Sequence, residues 1–566
     1  MRFKASLATA ACALSALGLA ACSSSPSPSE SGSSGGSSGS ATTLTMEQSP
    51  TGPVADNMNP FSSTGAGNLL GFTNMIYDPL MQFDLLKPGT SYPWLATNDT
   101  WSNGGKTITF TLRSGVKFTN GEAFNASTAA WEFNYLKKNA AINTNGLPIA
   151  SASAPNPTTL VINFTQPAYT DLYFIANTPM IPQGVWSKVS NPATYADTNP
   201  VGTGPYKLKS FSPQNVVLTR NTSYWQGESK VPNLDYPAYT SNTTANQALE
   251  TGSLQWAGNF VQNIQSAFVN KSPHNHYWDY GLQTETLIPN LTRFPFNNGK
   301  VGLAVRQAIS YAVNRQQISS VGEDNQQPPV QGAGSLTGLT LPLDQQYVTP
   351  ETSGYVATQD VNKAKQVLEA AGWKKGANGI YAYNGKPLSF SIEDPGPYTD
   401  FITDANIMIQ QLKAVGINAS LESTSVQKWT TDLGTGNFDS VLHWGNSGTS
   451  PYYLYDNWMD TTLMQPIGKT STGDFEHFNN AQAEADLKAL AGVNPSDTAT
   501  QKKYIVDLEK IEATQLPVVP LFYGVAWFEY NDSQWTGWPS QSDPYAPGEP
   551  SGPWNENVVL HLRPAH

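Results

Sequence analysis

The chain has 566 residues, more than one compact core accommodates, so two or three lobes are expected. Its formal net charge is −12, and setting aside residues 1–21 with Arg2 and Lys4 takes it to −14; an acidic body lacks the basic footprint that nucleic-acid phosphates demand. Charged residues are only 13% of the chain, about half the usual share, and both cysteines, Cys12 and Cys22, fall in the first 22 residues, so the body holds no disulfide, thiol nucleophile or cysteine metal site.

Residues 1–21 read as a targeting segment. Arg2 and Lys4 form a positive start, and the small-residue apolar run 5–19 is too short for a permanent membrane span. Leu19-Ala20-Ala21-Cys22 resembles the bacterial lipobox, in which the cysteine sulfur takes a diacylglyceryl group. The stretch 22–41 is then nearly all Ser, Gly and Pro, a flexible tether with no core to bury. The expectation is an extracytoplasmic protein, anchored to the cell membrane through Cys22 and monomeric.

In the body, 107–113 alternates Thr with Ile, Phe and Leu at the period of a half-buried strand, and Asn120-Gly121 marks a turn. A helix capped by Ser127 is expected to run to Lys138. Over 301–318, Val305, Ala308, Ile309 and Ala312 share one helical face, with Arg306 and Arg315 off it. Asp360 caps a further helix with the stripe Val361, Ala364, Val367, Leu368 and Ala371, stopped at Gly372. Another helix ends at Gly416 and a strand follows over 417–421. Alternating strands and helices place the chain in the α/β class, and no internal repeat is present.

Motifs for chemistry are absent: no GxGxxG after a strand, no Walker loop, EF-hand, HExxH or GxSxG. His274-Asn275-His276 has no Cys, Asp or Glu cluster beside it in sequence and reads as loop histidines. A glycosidase pair of carboxylates has no sequence signature among 43 acidic residues. The expectation is a protein that is not an enzyme and uses no cofactor or metal.

Several blocks, in order, resemble the family 5 extracellular solute-binding proteins of ABC importers, which take peptides, nickel or oligosaccharides. They are Asn59-Pro60-Phe61, Ile76-Tyr77-Asp78-Pro79-Leu80, the block 105–127, the turn Gly202-Thr203-Gly204-Pro205-Tyr206, Arg220-Asn221 with Tyr224-Trp225, and the helix at 304–318. The resemblance implies an α/β two-lobed periplasmic-binding-protein-like fold (type II, cluster C) with an additional inserted subdomain. Lobe I would comprise 42–90, 199–285 and 525–566, with 91–198 inserted, and lobe II would comprise 286–524. The implied partners are a small-molecule ligand enclosed between the lobes and the permease subunits of an ABC transporter.

The resemblance also bears on the ligand. Peptide binders of the family hold the ligand's ammonium with an aspartate after a Trp-bearing strand end, whereas here Trp444 is followed by no carboxylate until Asp456. An unpaired buried ammonium is costly. The stretch from Trp444 through Tyr452, and Trp535-Thr536-Gly537-Trp538, look more like the oligosaccharide-binding branch. Aromatic plates suit the C–H face of a sugar and amides suit its hydroxyls. Trp444 with Asn446, Trp256 with Asn259, Trp538 and Tyr452 are therefore the expected ligand contacts, for β-linked gluco- or manno-oligosaccharides; the alternative is an oligopeptide or dipeptide binder.

Overall fold

A computed structural model describes residues 42–565 apart from 88, 333 and 342. The leader, Cys22 and the tether lie outside the described residues. Strand Thr107–Leu112 buries Ile108, Phe110 and Leu112, as its alternation requires. It lies between Ala96–Ser102 and Thr159–Phe164 in a four-stranded antiparallel sheet closed by Ile149–Asn156. Helix Ala126–Lys138 packs on that sheet. Its cap is Asn125 rather than Ser127: the Asn125 side chain accepts the N–H groups of Ser127 and Thr128 at 2.9 and 3.3 Å. The expected cap thus falls inside the first turn.

A seven-stranded sheet runs in the order Asn275–Tyr277, Glu529–Asn531, Trp256–Ala257, Thr43–Glu47, Asn233–Pro237, Asn215–Arg220, Tyr206–Ser212. A five-stranded sheet runs Asn418–Thr424, Ser389–Pro395, Ser440–Trp444, Tyr280–Pro289, Val519–Ala526. Within it, Ser389–Pro395 is parallel to both neighbours, and helices Thr399–Val415 and Val426–Thr435 supply the crossovers. The chain passes between the two sheets through Trp278-Asp279 and again through Trp527-Phe528. One hydrophobic core spans residues of both sheets, and a second forms around helices Tyr452–Met459, Ala481–Ala491 and Thr498–Gln515.

The glycine turn at 202–206 and the block around Asp78 turn out to be structural joints. A Cβ on Gly202 would lie 1.8 Å from the Ile76 carbonyl oxygen and one on Gly204 2.5 Å from that of Met75, so the two backbones touch only because both residues are glycine. The buried Asp78 carboxylate accepts from the indoles of Trp94 and Trp225 at 3.1 and 3.0 Å and from the Tyr224 hydroxyl at 3.0 Å.

Two further expectations need correction. The single helix over 301–318 is broken: Lys300–Ala312 ends at Val313, and Asn314 caps a new helix, Arg315–Val321, by accepting from Gln317 N. Arg306 and Arg315 are buried, not off the packed face. Arg306 donates to the carbonyls of Phe296, Gln515 and Leu516, and Arg315 to those of Ser310 and Pro520. Carbonyls left open elsewhere in the fold draw the guanidinium groups inward. Helix Val361–Ala370 is capped by Asp360 as expected, with only Ala364 and Leu368 of its stripe fully buried. Among the described residues no helix is long and apolar enough to cross a membrane.

Candidate functional site

Segments of the seven-stranded sheet meet segments of the five-stranded sheet at three places. Asn242 donates from its backbone to the Pro397 carbonyl at 3.1 Å and from its amide to Asp400 at 3.0 Å. The Gln427 amide reaches the Thr51 and Pro53 carbonyls, and the Ser49 hydroxyl lies 3.4 Å from that of Tyr398. Farther along, the Gln326 amide donates to the Val261 carbonyl at 3.0 Å. A fourth meeting joins the four-stranded region to helix Tyr452–Met459. There the Tyr453 hydroxyl donates to the Thr170 carbonyl at 2.5 Å, and its ring meets those of Tyr173 and Phe174 edge-on.

Trp444 ends strand Ser440–Trp444 and is half-buried. Phe401, Trp429 and His443 stand beside it, with ring centroids at 6.5, 5.7 and 4.4 Å. His443 also stacks on Trp429 at 5.0 Å. Burial pushes the His443 imidazole down to about 4, so it is neutral at physiological pH. The buried Trp429 Nε1 has no hydrogen-bond partner. Asn446 follows two residues on, exposed, in the loop leading to Tyr452, which opens helix Tyr452–Met459 and is buried. Burial, with Asp456 and Asp171 close by, drives the Tyr452 phenol well above its ordinary range.

Trp256, Trp538 and Asn259 form a separate group. Trp256 is fully buried and its indole donates to the Gly548 carbonyl at 2.7 Å. Trp538 packs against it at 5.3 Å, donates to the Trp535 carbonyl, and lies over Phe528 and Tyr530. Both indole N–H groups are spent within the fold. Asn259 is buried; its amide donates to Asn246 at 3.0 Å while its Oδ1 has no partner. Among the described residues no hydrogen bond or ring contact joins this group to Trp444, Asn446 or Tyr452. Trp429, Phe401 and His443 were missed by sequence reasoning. Trp429 is buried with Val426 and Leu433 on one face of helix Val426–Thr435, and nothing local in the sequence sets it apart.

The loop 446–451 walls a cavity of about 470 Å³, closed on other sides by the hairpin at 83–91, by Tyr169 and Thr170, and by the stretch 340–347. Its polar lining is mostly amides and hydroxyls, among them Asn446, Ser447, Thr449, Thr170 and Gln501, beside the rings of Tyr169, Tyr347 and Tyr453. Asp344 is the single carboxylate among its described lining residues, and no cation lines it. Burial pushes Asp344 up to about 7.

Buried carboxylates do gather elsewhere. Both oxygens of Glu47 and of Asp394 are enclosed without a donor. Burial pushes Glu47 up to about 8, and Glu47 and Asp400 both act on Tyr398. His274 and His276 straddle Asp532, at 2.7 and 3.1 Å, an acidic neighbour that lies 256 residues away in sequence from the nearer of them. Among the described residues no three His, Cys, Asp or Glu side chains converge to hold a metal ion by themselves.

Residues 90–465 match the family model of bacterial extracellular solute-binding proteins, family 5. The nickel-binding periplasmic protein of Escherichia coli is 29% identical over 389 residues, covering 66% of this chain and 70% of that one. The glutathione-binding protein GsiB of Salmonella typhi is 25% identical over 455 residues, covering 75% and 80%. Among solved structures, the mannohexaose-bound periplasmic oligopeptide-binding protein of Thermotoga maritima superposes with a TM-score of 0.84 at 24% identity, covering 93% of this chain and 99% of that one. The oligopeptide-binding protein AppA of Bacillus subtilis, in complex with a nonapeptide, superposes with 0.77 at 19%, covering 93% and 99%. The family model spans about two thirds of the sequence, and the chain belongs to family 5 of the bacterial extracellular solute-binding proteins, which serve ABC importers.

Proposed function

We propose that this protein captures neutral oligosaccharides, of the β-linked gluco- or manno- class, and delivers them unaltered to the permease of an ABC importer while tethered to the membrane through a lipid on Cys22. The relatives bind nickel, glutathione, peptides or mannohexaose, so family membership leaves the ligand open. The observation that carries the sugar reading is the lining of the cavity beside Asn446: amides, hydroxyls and tyrosine rings with one carboxylate and no cation. Hydroxyls both give and take hydrogen bonds, which such a lining satisfies, and ring faces cover the apolar side of a pyranose. Trp444, Asn446 and Tyr452 lie along the strand, loop and helix that frame this wall. In this reading 42–90, 199–285 and 525–566 form lobe I, with 91–198 inserted, and close on lobe II, 286–524.

The test is titration calorimetry of the mature protein with cello-, manno- and xylo-oligosaccharides. Saturable heat with one series is expected, and flat traces for all would remove the sugar claim. Chromatography of the recovered sugar should show no shorter products.

A second reading has its own observation. Glu47 and Asp394 are buried without a donor, and a ligand ammonium would neutralise such groups. If di- to pentapeptides raise the melting temperature and sugars do not, the peptide reading replaces the first.

A further inference from the structure

Three walls of the cavity beside Asn446 meet on one side chain. Tyr453 lies in the first turn of helix Tyr452–Met459 and is 2% exposed. Its hydroxyl donates to the Thr170 carbonyl at 2.5 Å and accepts the Tyr173 main-chain N–H at 3.3 Å, so both bonds go to one short segment. The rings of Tyr173 and Phe174 meet the Tyr453 ring edge-on, with centroids at 5.3 and 4.8 Å. Tyr173 in turn packs edge-on against Phe83 of the hairpin wall, at 5.3 Å. The loop 446–451 reaches the same ring. A Cβ on Gly448 would lie 2.1 Å from the Tyr453 Cδ2, so the loop comes this close only because residue 448 is glycine.

A buried tyrosine hydroxyl needs a hydrogen-bond partner, and edge-on ring pairs add attraction beyond the area they cover. Moving segment 170–174 away from the loop would strip both hydrogen bonds and both ring contacts from Tyr453 at once. All these contacts lie within the chain, so they act with or without a ligand. We infer that Tyr453 is a latch, which holds segment 170–174 against loop 446–451 before a ligand arrives and must release for one to enter or leave. The inference rests on the reading that this cavity takes the ligand, and it assigns Tyr453 to the control of passage into it. Because the latch stabilises the shut arrangement equally with and without ligand, releasing it speeds entry and exit together. A side chain that only touches the ligand acts mainly on exit.

The latch is tested first without ligand, by double electron–electron resonance on the mature protein. Gln166→Cys and Lys488→Cys place spin labels at exposed positions on its two sides, in a Cys22→Ser background that leaves no other thiol in the mature chain. One short distance should dominate with Tyr453 in place. Tyr453→Phe keeps the ring and removes both hydrogen bonds, and should raise the ratio of long to short distances about tenfold. If Tyr453→Phe fails to fold, Gly448→Ala answers from the loop side, because the added methyl group pushes the loop off the ring. A distribution unchanged by the substitution, or a long distance that dominates with Tyr453 intact, would overturn the latch. Stopped-flow binding of whichever oligosaccharide gives heat is the second arm. Entry and exit rates should both rise about tenfold in Tyr453→Phe, with their ratio changing less than about threefold. A rise in exit alone would make Tyr453 a ligand contact and not a latch. If no sugar binds, the distances still decide on the latch, so its failure and that of the sugar reading are told apart.

Discussion

Trp444 and Trp256 are the same residue type at strand positions, and they differ in what covers them. Trp256 has no exposed surface, its N–H is taken by Gly548, and Trp538 and Phe528 close over the ring. Trp444 keeps part of its surface open beside Phe401 and Trp429. Trp444→Ala should therefore weaken oligosaccharide binding about tenfold while leaving the melting temperature nearly unchanged. Trp256→Ala should instead destabilise the fold by about 3–5 kcal/mol, read by urea unfolding. The reverse pattern would sink the assignment of Trp444 to ligand contact. Sequence could nominate both indoles but not separate them, because the covering residues of Trp256 arrive more than 270 positions later, from Phe528 and Trp538. The loop position of Asn446 was legible for a local reason: it follows a strand end in a run of small polar residues.

At the scale of elements, local chemistry was readable where one side chain settles the matter. Asp360 caps Val361–Ala370 by accepting from Lys363 N at 2.8 Å, and Gly416 ends Thr399–Val415 in the left-handed conformation. Asp360→Ala removes that acceptor and should cost about 1 kcal/mol, measured by urea unfolding, with Asp360→Asn recovering most of it. Equal losses for the two substitutions would show that the charge and not the cap is at work. The helix expected over 301–318 failed for an instructive reason. Ile318 is buried, so the apolar period runs on across the break, while the Asn314 side chain starts a new helix by capturing Gln317 N. Periodicity sees the buried face, and the cap decides the backbone. The two arginines went wrong differently: the carbonyls of Gln515, Leu516 and Pro520 that draw them in lie some 200 residues away and leave no trace in the local pattern.

For the whole molecule, the acid excess seen in the sequence acquires a location. Among the described residues the buried cations are Arg306 and Arg315, both committed to backbone carbonyls, so most buried carboxyls find no positive partner. Burial alone pushes Glu47 up to about 8. Glu509 also rises to about 8 through burial, held back most by the Thr352 hydroxyl, with a smaller push from Asp344 and still smaller pulls from Lys502 and Lys510. Asp344 and Glu549 rise to about 7, again through burial. Each of these groups holds its proton more tightly in the folded chain than in the unfolded one. Between the ordinary carboxyl range and the raised values the folded state binds more protons, so stability is present in full below about pH 4 and is lost as pH climbs toward 8. His443 works the other way, because its imidazole is held neutral down to about 4 and the unfolded chain takes up its proton below about 6.5. Above that point only the carboxyls act. The melting temperature at constant ionic strength should therefore fall steadily from pH 6.5 to 8.5, by several degrees, and Glu47→Gln should flatten the slope. A melting temperature that rose over this interval would mean that these carboxyls are ionised and paired in the folded protein, and that the enclosed acids do not carry their protons.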